Sequence, residues 1–346
     1  MIRMRLVSAA LGAATATATL IAQGQQAVDS GRKPDTPAIA SHIDAARKAA
    51  GTEWTEAVDF TCVSDPNSSV NFPWPDDPLI EPTKVFDNAY VFGRTSTVVW
   101  AITTSAGIVL IDSAHPAQLE TVVLTGLRKV GLDPANVRYV LITHGHDDHY
   151  GDAFYFQQRG ARLVSTDADW KMMETPGPGR GGGGAARLTP PRPQAPRPAA
   201  SPPKRDIVVS DGQQIAVGDT TFTAVLIPGH TPGALGFIFS VRDGRETHTA
   251  ALFGGSVLVP SFVRDEAQWR QYIGSIHHFA EVTRGTNVDV ELHNHPMYDD
   301  FAGKLARLKV RGPGQPHPFV VGRDAYQRLL TVMAECSEVQ LERTQL

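Results

Sequence analysis

The chain has 346 residues, 42% of them apolar and 20% charged, with a formal net charge of −4. That size and apolar content support one large core or two modest ones and exclude a wholly disordered chain. The mildly acidic balance gives no basis for attraction to a phosphate backbone, so no nucleic-acid partner is expected.

In chain order, Arg3 and Arg5 come first, followed by an uncharged run over 6–22 and the small-x-small site Ala22-Gln23-Gly24. The run is diluted with threonine and shorter than the roughly 20 residues a membrane span needs. A cleaved export signal over 1–24 is therefore expected rather than an anchor or a buried helix. It implies a periplasmic or secreted protein without stable membrane association. Loss of Arg3 and Arg5 would take the net charge from −4 to −6. An N-terminal extension, 25–84, follows. The only two cysteines, Cys62 and Cys336, either pair in an oxidising compartment or stay separate as buried thiols. Pairing would tie this extension to the last helix.

Residues 41–50 read as a short helix with Ser41 as its N-cap. The stretch 60–84 is rich in Asp, Pro, Ser and Asn and reads as an irregular covering segment. Strand-like runs follow at 86–92, 98–104 and 108–112, with Ser105-Ala106-Gly107 as a hairpin turn. The spacing of Leu119, Val122, Val123, Leu127 and Val130 predicts a helix over 118–130. The run 137–142, broken only by Arg138, fits a strand covered on both faces. A helix over 150–159 and a strand over 161–165 continue the alternation, which predicts an α/β layered core.

Residues 176–203 break this pattern. Fifteen of these 28 residues are Pro or Gly, and the segment carries Arg180, Arg187, Arg192 and Arg197 without an acid. It reads as a low-complexity insertion, either solvated or lying as a basic flap over a site. Strands at 207–209, 214–217, 221–227 and 235–241 are expected to form a second sheet, followed by 250–253. A helix over 266–284, a strand over 288–292 and a closing helix over 325–343 complete the chain. The insertion is thus a loop within one catalytic domain, 85–346.

Three of the 12 histidines fall within six residues, in Thr143-His144-Gly145-His146-Asp147-Asp148-His149. The run directly follows a buried-looking strand, where scaffolds present functional groups. His144 and His146, two apart on extended backbone, can aim at one ion. Asp148 and His149 can turn towards a second, and Gly145 spares a side chain where the loop bends. Imidazole and carboxylate without thiolate suit Zn²⁺.

This run resembles the His-x-His-x-Asp-His signature of the metallo-β-lactamase superfamily. Ile111-Asp112, Ile227-Pro-Gly-His230-Thr-Pro-Gly233 and Leu292-His293-Asn294-His295-Pro296 resemble that family's further motifs, in the same order. The likeness spans about 86–340 and is greatest to the third subclass of true β-lactamases. It implies a four-layer αβ/βα sandwich. It also implies a first zinc on His144, His146 and His230 and a second on Asp148, His149 and His295. His293 could replace His295, although the His-Pro pairing favours His295. Asp112 would orient a ligand histidine. His42, His115, His248, His277, His278 and His317 match no family position and read as structural or exposed. Many hydrolases of this superfamily bridge their two metals with an Asp. Here Leu252-Phe-Gly-Gly255-Ser256-Val257 puts Ser256 at or beside that position, as in the third β-lactamase subclass, which makes Ser256 a candidate substrate contact. A serine usual two positions later is Leu258, a departure from the β-lactamase pattern for binding the substrate carboxylate.

The resemblance implies a binuclear zinc hydrolase acting on a small molecule. The first expectation is opening of a β-lactam amide by a metal-bound hydroxide, with Asp148 as the residue that orients the nucleophile and moves its proton. The alternative is a secreted hydrolase of a lactone, ester or other cyclic amide on the same fold. A non-enzymatic zinc-binding protein would predict a degraded ligand set, and all six positions are filled.

Overall fold

The computed structural model describes residues 34–63, 77–175, 201–257, 265–297 and 299–346. The expected export segment, residues 176–200 of the insertion, and Leu258 lie outside the described residues.

Helix α1 (Pro37–Ala50) leads into α2 (Thr55–Val58) and a π-helical turn, Asp59–Val63. Four antiparallel strands follow: β1 (Leu79–Phe86), β2 (Ala89–Arg94), β3 (Val98–Thr104) and β4 (Gly107–Ile111). A π-helical turn, Leu119–Leu124, continues into α3 (Thr125–Lys129). Next come β5 (Val137–Leu141), α4 (Asp147–Tyr150), α5 (Ala153–Gln157), β6 (Arg162–Ser165), α6 (Asp167–Glu174) and β7 (Ile207–Val208). The second half holds β8 (Gln214–Val217), β9 (Thr220–Leu226), β10 (Leu235–Asp243), β11 (Glu246–Leu252), α7 (Glu266–Gly285), β12 (Val290–Leu292), α8 (Phe301–Lys309) and α9 (Arg323–Thr344).

The strands make two sheets. One runs β1 through β7 in chain order, parallel from β4 onward; the other runs β12-β11-β10-β9-β8. Period-two alternation decides which layer each side chain fills. On β3, Val98, Trp100 and Ile102 enter the core between the sheets, while Val99 and Ala101 face the outer helices. On β10, Leu235, Phe237 and Phe239 join the inter-sheet core and Ile238 faces the opposite helical layer with Ile276, Phe279 and Leu330. Three apolar layers thus separate helix, sheet, sheet and helix, the four-layer sandwich that was expected. Both faces of these strands are covered, which explains their unbroken apolar runs.

Several local expectations change. The first helix starts at Pro37 and not near Ser41: Thr36 is its N-cap, its Oγ1 accepting from the Ile39 N–H at 3.2 Å, and proline suits the first helical turn. The segment 60–84 is not wholly irregular, because β1 already begins at Leu79. β7 does not join the second sheet. It pairs parallel with β6, and Arg162 fixes the approach through a bidentate bond to Asp206. The expected helix over 118–130 is present as a continuous run that opens in π-helical form, whereas that over 150–159 is interrupted at 151–152. At Gly151 the chain packs so tightly on Ala114 and Pro116 that a side chain would strike their backbone.

Residues 35–63 of the N-terminal extension are packed into the fold. Asp35–Leu346 forms one unit. Cys62 and Cys336 are joined by a disulfide, which resolves the two alternatives for these cysteines. Around it, the indole N–H of Trp54 donates to the Ala325 carbonyl at 2.7 Å and Arg343 pairs with Asp35. The bond closes a loop of 274 residues, so it restricts the unfolded chain far more than the folded one. Replacing both cysteines by serine is expected to cost about 2–4 kcal/mol. Urea unfolding without reductant would measure it, and an unchanged midpoint would contradict it.

Candidate metal centre

Loops at the ends of strands from both sheets converge on one site. After β5, Thr143 and His144 are buried, and the chain turns through Gly145 and His146 into α4, which carries Asp148 and His149. His230 lies in the turn after β9, and His295 just past β12.

The side chains meet in two adjoining groups. His230 Nε2 lies 3.1 Å from His144 Nε2 and 3.0 Å from His146 Nδ1. His149 Nε2 lies 3.2 Å from Asp148 Oδ2 and 3.1 Å from His295 Nε2. The groups touch through His144 and His149, whose ring centroids are 3.9 Å apart. Ligands about 2.0–2.1 Å from one tetrahedral ion sit roughly 3.3 Å from each other. The groups compact enough to share a cation are His144, His146 and His230, and His144, Asp148 and His149, with His295 reaching the second through His149. His293 points elsewhere: its Nε2 meets Glu291 Oε1 at 2.7 Å, in a buried cluster with Asp299 and Lys304.

The electrostatics favour cation binding. Burial, followed by the neighbouring histidines, holds His144 well below its usual range. Burial does the same to His230 and takes His295 to about 3. These rings are neutral and offer lone pairs. His149 also suffers burial, but the Asp148 and Asp112 carboxylates outweigh it and hold it at about 10. Burial alone would raise Asp148; His149 prevails and keeps it ionised. Without metal, a proton on His149 supplies the positive charge that the acids demand.

Most of the rings are held from behind. Asp112 Oδ2 meets His149 Nδ1 at 2.7 Å and accepts from the Thr143 hydroxyl at 2.9 Å, while Oδ1 accepts from the Thr143 N–H at 2.8 Å. The Thr143 hydroxyl, its proton spent on Asp112, can accept from His144 Nδ1 at 3.0 Å. His295 Nδ1 meets the Ser96 carbonyl at 2.7 Å. Asp112, Ala114 and Ala117 all have φ near +64°. Left-handed backbone at non-glycine residues is costly and collects at functional sites.

His144, His146 and His230 thus come together, Asp148 and His149 adjoin them with His295 against His149, and Asp112 stands behind His149. Ser256 is buried beside the metal loops. It is 2% exposed and lines a small cavity with Trp269, Tyr272, Met333 and Cys336, while Gly255 lies against the His230 ring. His115, expected to be structural or exposed, is buried near enough for its charge to act on Asp148 and His295. His42, His248 and His278 each meet an acid near the surface, and His317 stacks on Phe86. Gly145 lies close against α6, with Met172 Sδ 3.2 Å from where its Cβ would sit, so a side chain there would require a small shift of that helix. Asp169, which bonds the loops around the site, was not among the residues the sequence singles out, and Asn294 appeared there only as part of a motif, without the bonds it makes to Asp112 and Thr143. The pattern Thr166-x-x-Asp169, an N-cap signal, was the available clue to Asp169.

Residues 91–245 match the family model of the Metallo-beta-lactamase superfamily. Among solved structures, the chain is similar to BJP-1, a subclass B3 metallo-β-lactamase of Bradyrhizobium japonicum, at 25% identity and a TM-score of 0.61, covering 77% of this chain and 95% of that one. It is also similar to the FEZ-1 metallo-β-lactamase from Legionella gormanii, at 20% identity and a TM-score of 0.64, covering 79% and 99%. A metallo-β-lactamase of Cronobacter sakazakii matches at 24% identity and a TM-score of 0.61, covering 80% and 99%. The matched domain, the fold shared with these structures and the histidine cluster together support a metal-dependent hydrolase.

Two outcomes follow from this geometry. Asp112→Ala leaves His149 without its orienting acid and is expected to weaken metal binding roughly 10–100-fold. Metal content after dialysis against graded chelator would show it, and full retention would contradict it. The second concerns Asp152, which burial pushes up to about 7. An unfolded aspartate ionises near 3.9. Between these values the unfolded chain releases its proton while the folded one keeps it, so stability falls as pH rises through that window. In metal-free protein, Asp152→Asn is expected to shrink the drop in melting temperature between about pH 4 and pH 8. An equal drop in both proteins would refute the assignment.

Proposed function

We propose that this protein is a binuclear zinc hydrolase that opens the amide of a β-lactam ring. The observation that carries the reading is the meeting of His144, His146 and His230 beside Asp148, His149 and His295, with a serine at the turn where many relatives place a metal-bridging aspartate. The first three residues would hold one ion and the last three the other. A set of imidazole and carboxylate without thiolate favours zinc. Bound zinc supplies Lewis acidity, drawing the pKa of water towards about 7 and polarising a carbonyl oxygen.

The chain's own residues do the rest. Asp148 is buried and ionised, so it can accept the proton of an attacking water and pass it to the departing nitrogen. Asp112 fixes the ring of His149, and Ser96 that of His295. No side-chain nucleophile is required, and both cysteines are committed to the disulfide. That disulfide, together with the charged and apolar pattern over 1–24, supports a periplasmic or secreted location. The substrate is a small molecule, and the negative charge of the chain speaks against nucleic acid.

A second reading, hydrolysis of a lactone, ester or other cyclic amide, is favoured by Leu258 in the sequence, which stands where the β-lactamase pattern for binding the substrate carboxylate usually has a serine. The test is zinc-loaded protein assayed on a carbapenem, an aryl ester and a lactone. Carbapenem ring opening is expected, with Asp148→Asn lowering kcat roughly 10²–10⁴-fold. Turnover of ester or lactone but not carbapenem would select the second reading.

A further inference from the structure

His230 differs from its neighbours in one respect. His149, His144 and His295 each have a partner for the ring nitrogen that faces away from the cluster. The equivalent nitrogen of His230, Nδ1, is buried and has no hydrogen-bond partner among the described residues. A metal-binding histidine usually relies on such a bond for its orientation. Something else must aim this ring.

The structure assigns that task to Asp169: we propose that its carboxylate positions the whole first cluster by tying the two loops that carry it. Asp169 is fully buried on α6. Its Oδ2 accepts from the Gly145 N–H at 2.8 Å and from the Thr231 hydroxyl at 2.7 Å. Its Oδ1 accepts from the Gly233 N–H at 2.8 Å. Gly145 lies between His144 and His146, and Thr231 follows His230. Every first-cluster histidine is therefore one residue from a bond to this carboxylate. Thr166, the N-cap of α6, closes the arrangement by donating to the Gly233 carbonyl at 2.8 Å. On its open side the His230 ring rests against Gly255, where a Cβ would stand 2.7 Å from the His230 Cβ. The ring is thus aimed by its backbone and by packing rather than by a bond to its far nitrogen.

The three bonds have one polarity: all three donors point at the carboxylate. An amide in its place would turn an NH₂ group towards one of them. Asp169→Asn is nearly the same shape, yet it breaks the tie on one side. Thr231→Val removes one donor, and Thr231→Ser restores it.

The inference rests on the metal-centre reading above, and its test does not depend on substrate. Zinc affinity is measured by chelator competition in a His295→Ala background, where only the first cluster is complete. Asp169→Asn is expected to weaken binding roughly 10–100-fold, with Thr231→Val acting in the same direction and Thr231→Ser near the parent. In a His230→Ala background, where the second cluster is complete, the same changes are expected to have little effect. If Asp169→Asn does not fold, the Thr231 pair decides. Unchanged first-cluster affinity in the variants, or equal losses in the two backgrounds, overturns the proposal alone. A parent protein that takes up no zinc overturns the metal-centre reading as well.

Discussion

The Asp112 carboxylate, at the end of β4, bonds the backbone and hydroxyl of Thr143 after β5, the ring of His149 on α4, and the side-chain amide of Asn294 after β12. β4 and β5 belong to one sheet and β12 to the other. One buried anion therefore joins the two sheets at the end where the histidines gather. An unpartnered carboxylate in such a place would cost several kcal/mol. The cost is avoided only if all four partners stand where they do, so the site and the closure of the sandwich are one constraint.

Asp169 makes the matching connection on the other flank. There the partners are loops rather than sheets, and the donors are mainly backbone N–H groups. The two aspartates divide the work. Asp112 governs a ring directly, whereas Asp169 governs the backbone from which rings project. Between them lies a cluster of mostly neutral imidazoles with an ionised Asp148, a charge pattern that a divalent cation completes.

The helical layer formed by α1, α7 and α9 bears on the site from behind. Tyr272 on α7 donates to the carbonyls of Gly255 and Ser256, and Gly255 carries the packing surface for His230. The cavity beside Ser256 is lined by Cys336 of the disulfide and by Thr61 of the extension. Residues 35–63 of the extension thus reach the turn beside the metal loops through covalent and packing contacts.

The chemistry of the site was legible in the sequence because it is local. His144, His146, Asp148 and His149 lie within six residues, and such a spacing of donors has few uses other than a metal. The motifs at His230 and His295 were readable by resemblance, and β3, β5 and β10 by their apolar runs. What could not be read depended on contacts between distant segments. Asp169 looked like an ordinary residue in the first turn of a helix until the fold brought Gly145 and Gly233 to its carboxylate. β7, two residues long, has no periodicity of its own and takes its sheet from Arg162 and Asp206. Ser256 could be located in the chain, but its burial beside Tyr272 and Met333 is set by packing. Residue types and close spacing determine which atoms can bind a metal; the tertiary structure decides which distant backbone groups hold those atoms still, because a buried carboxylate must find its donors wherever the fold supplies them.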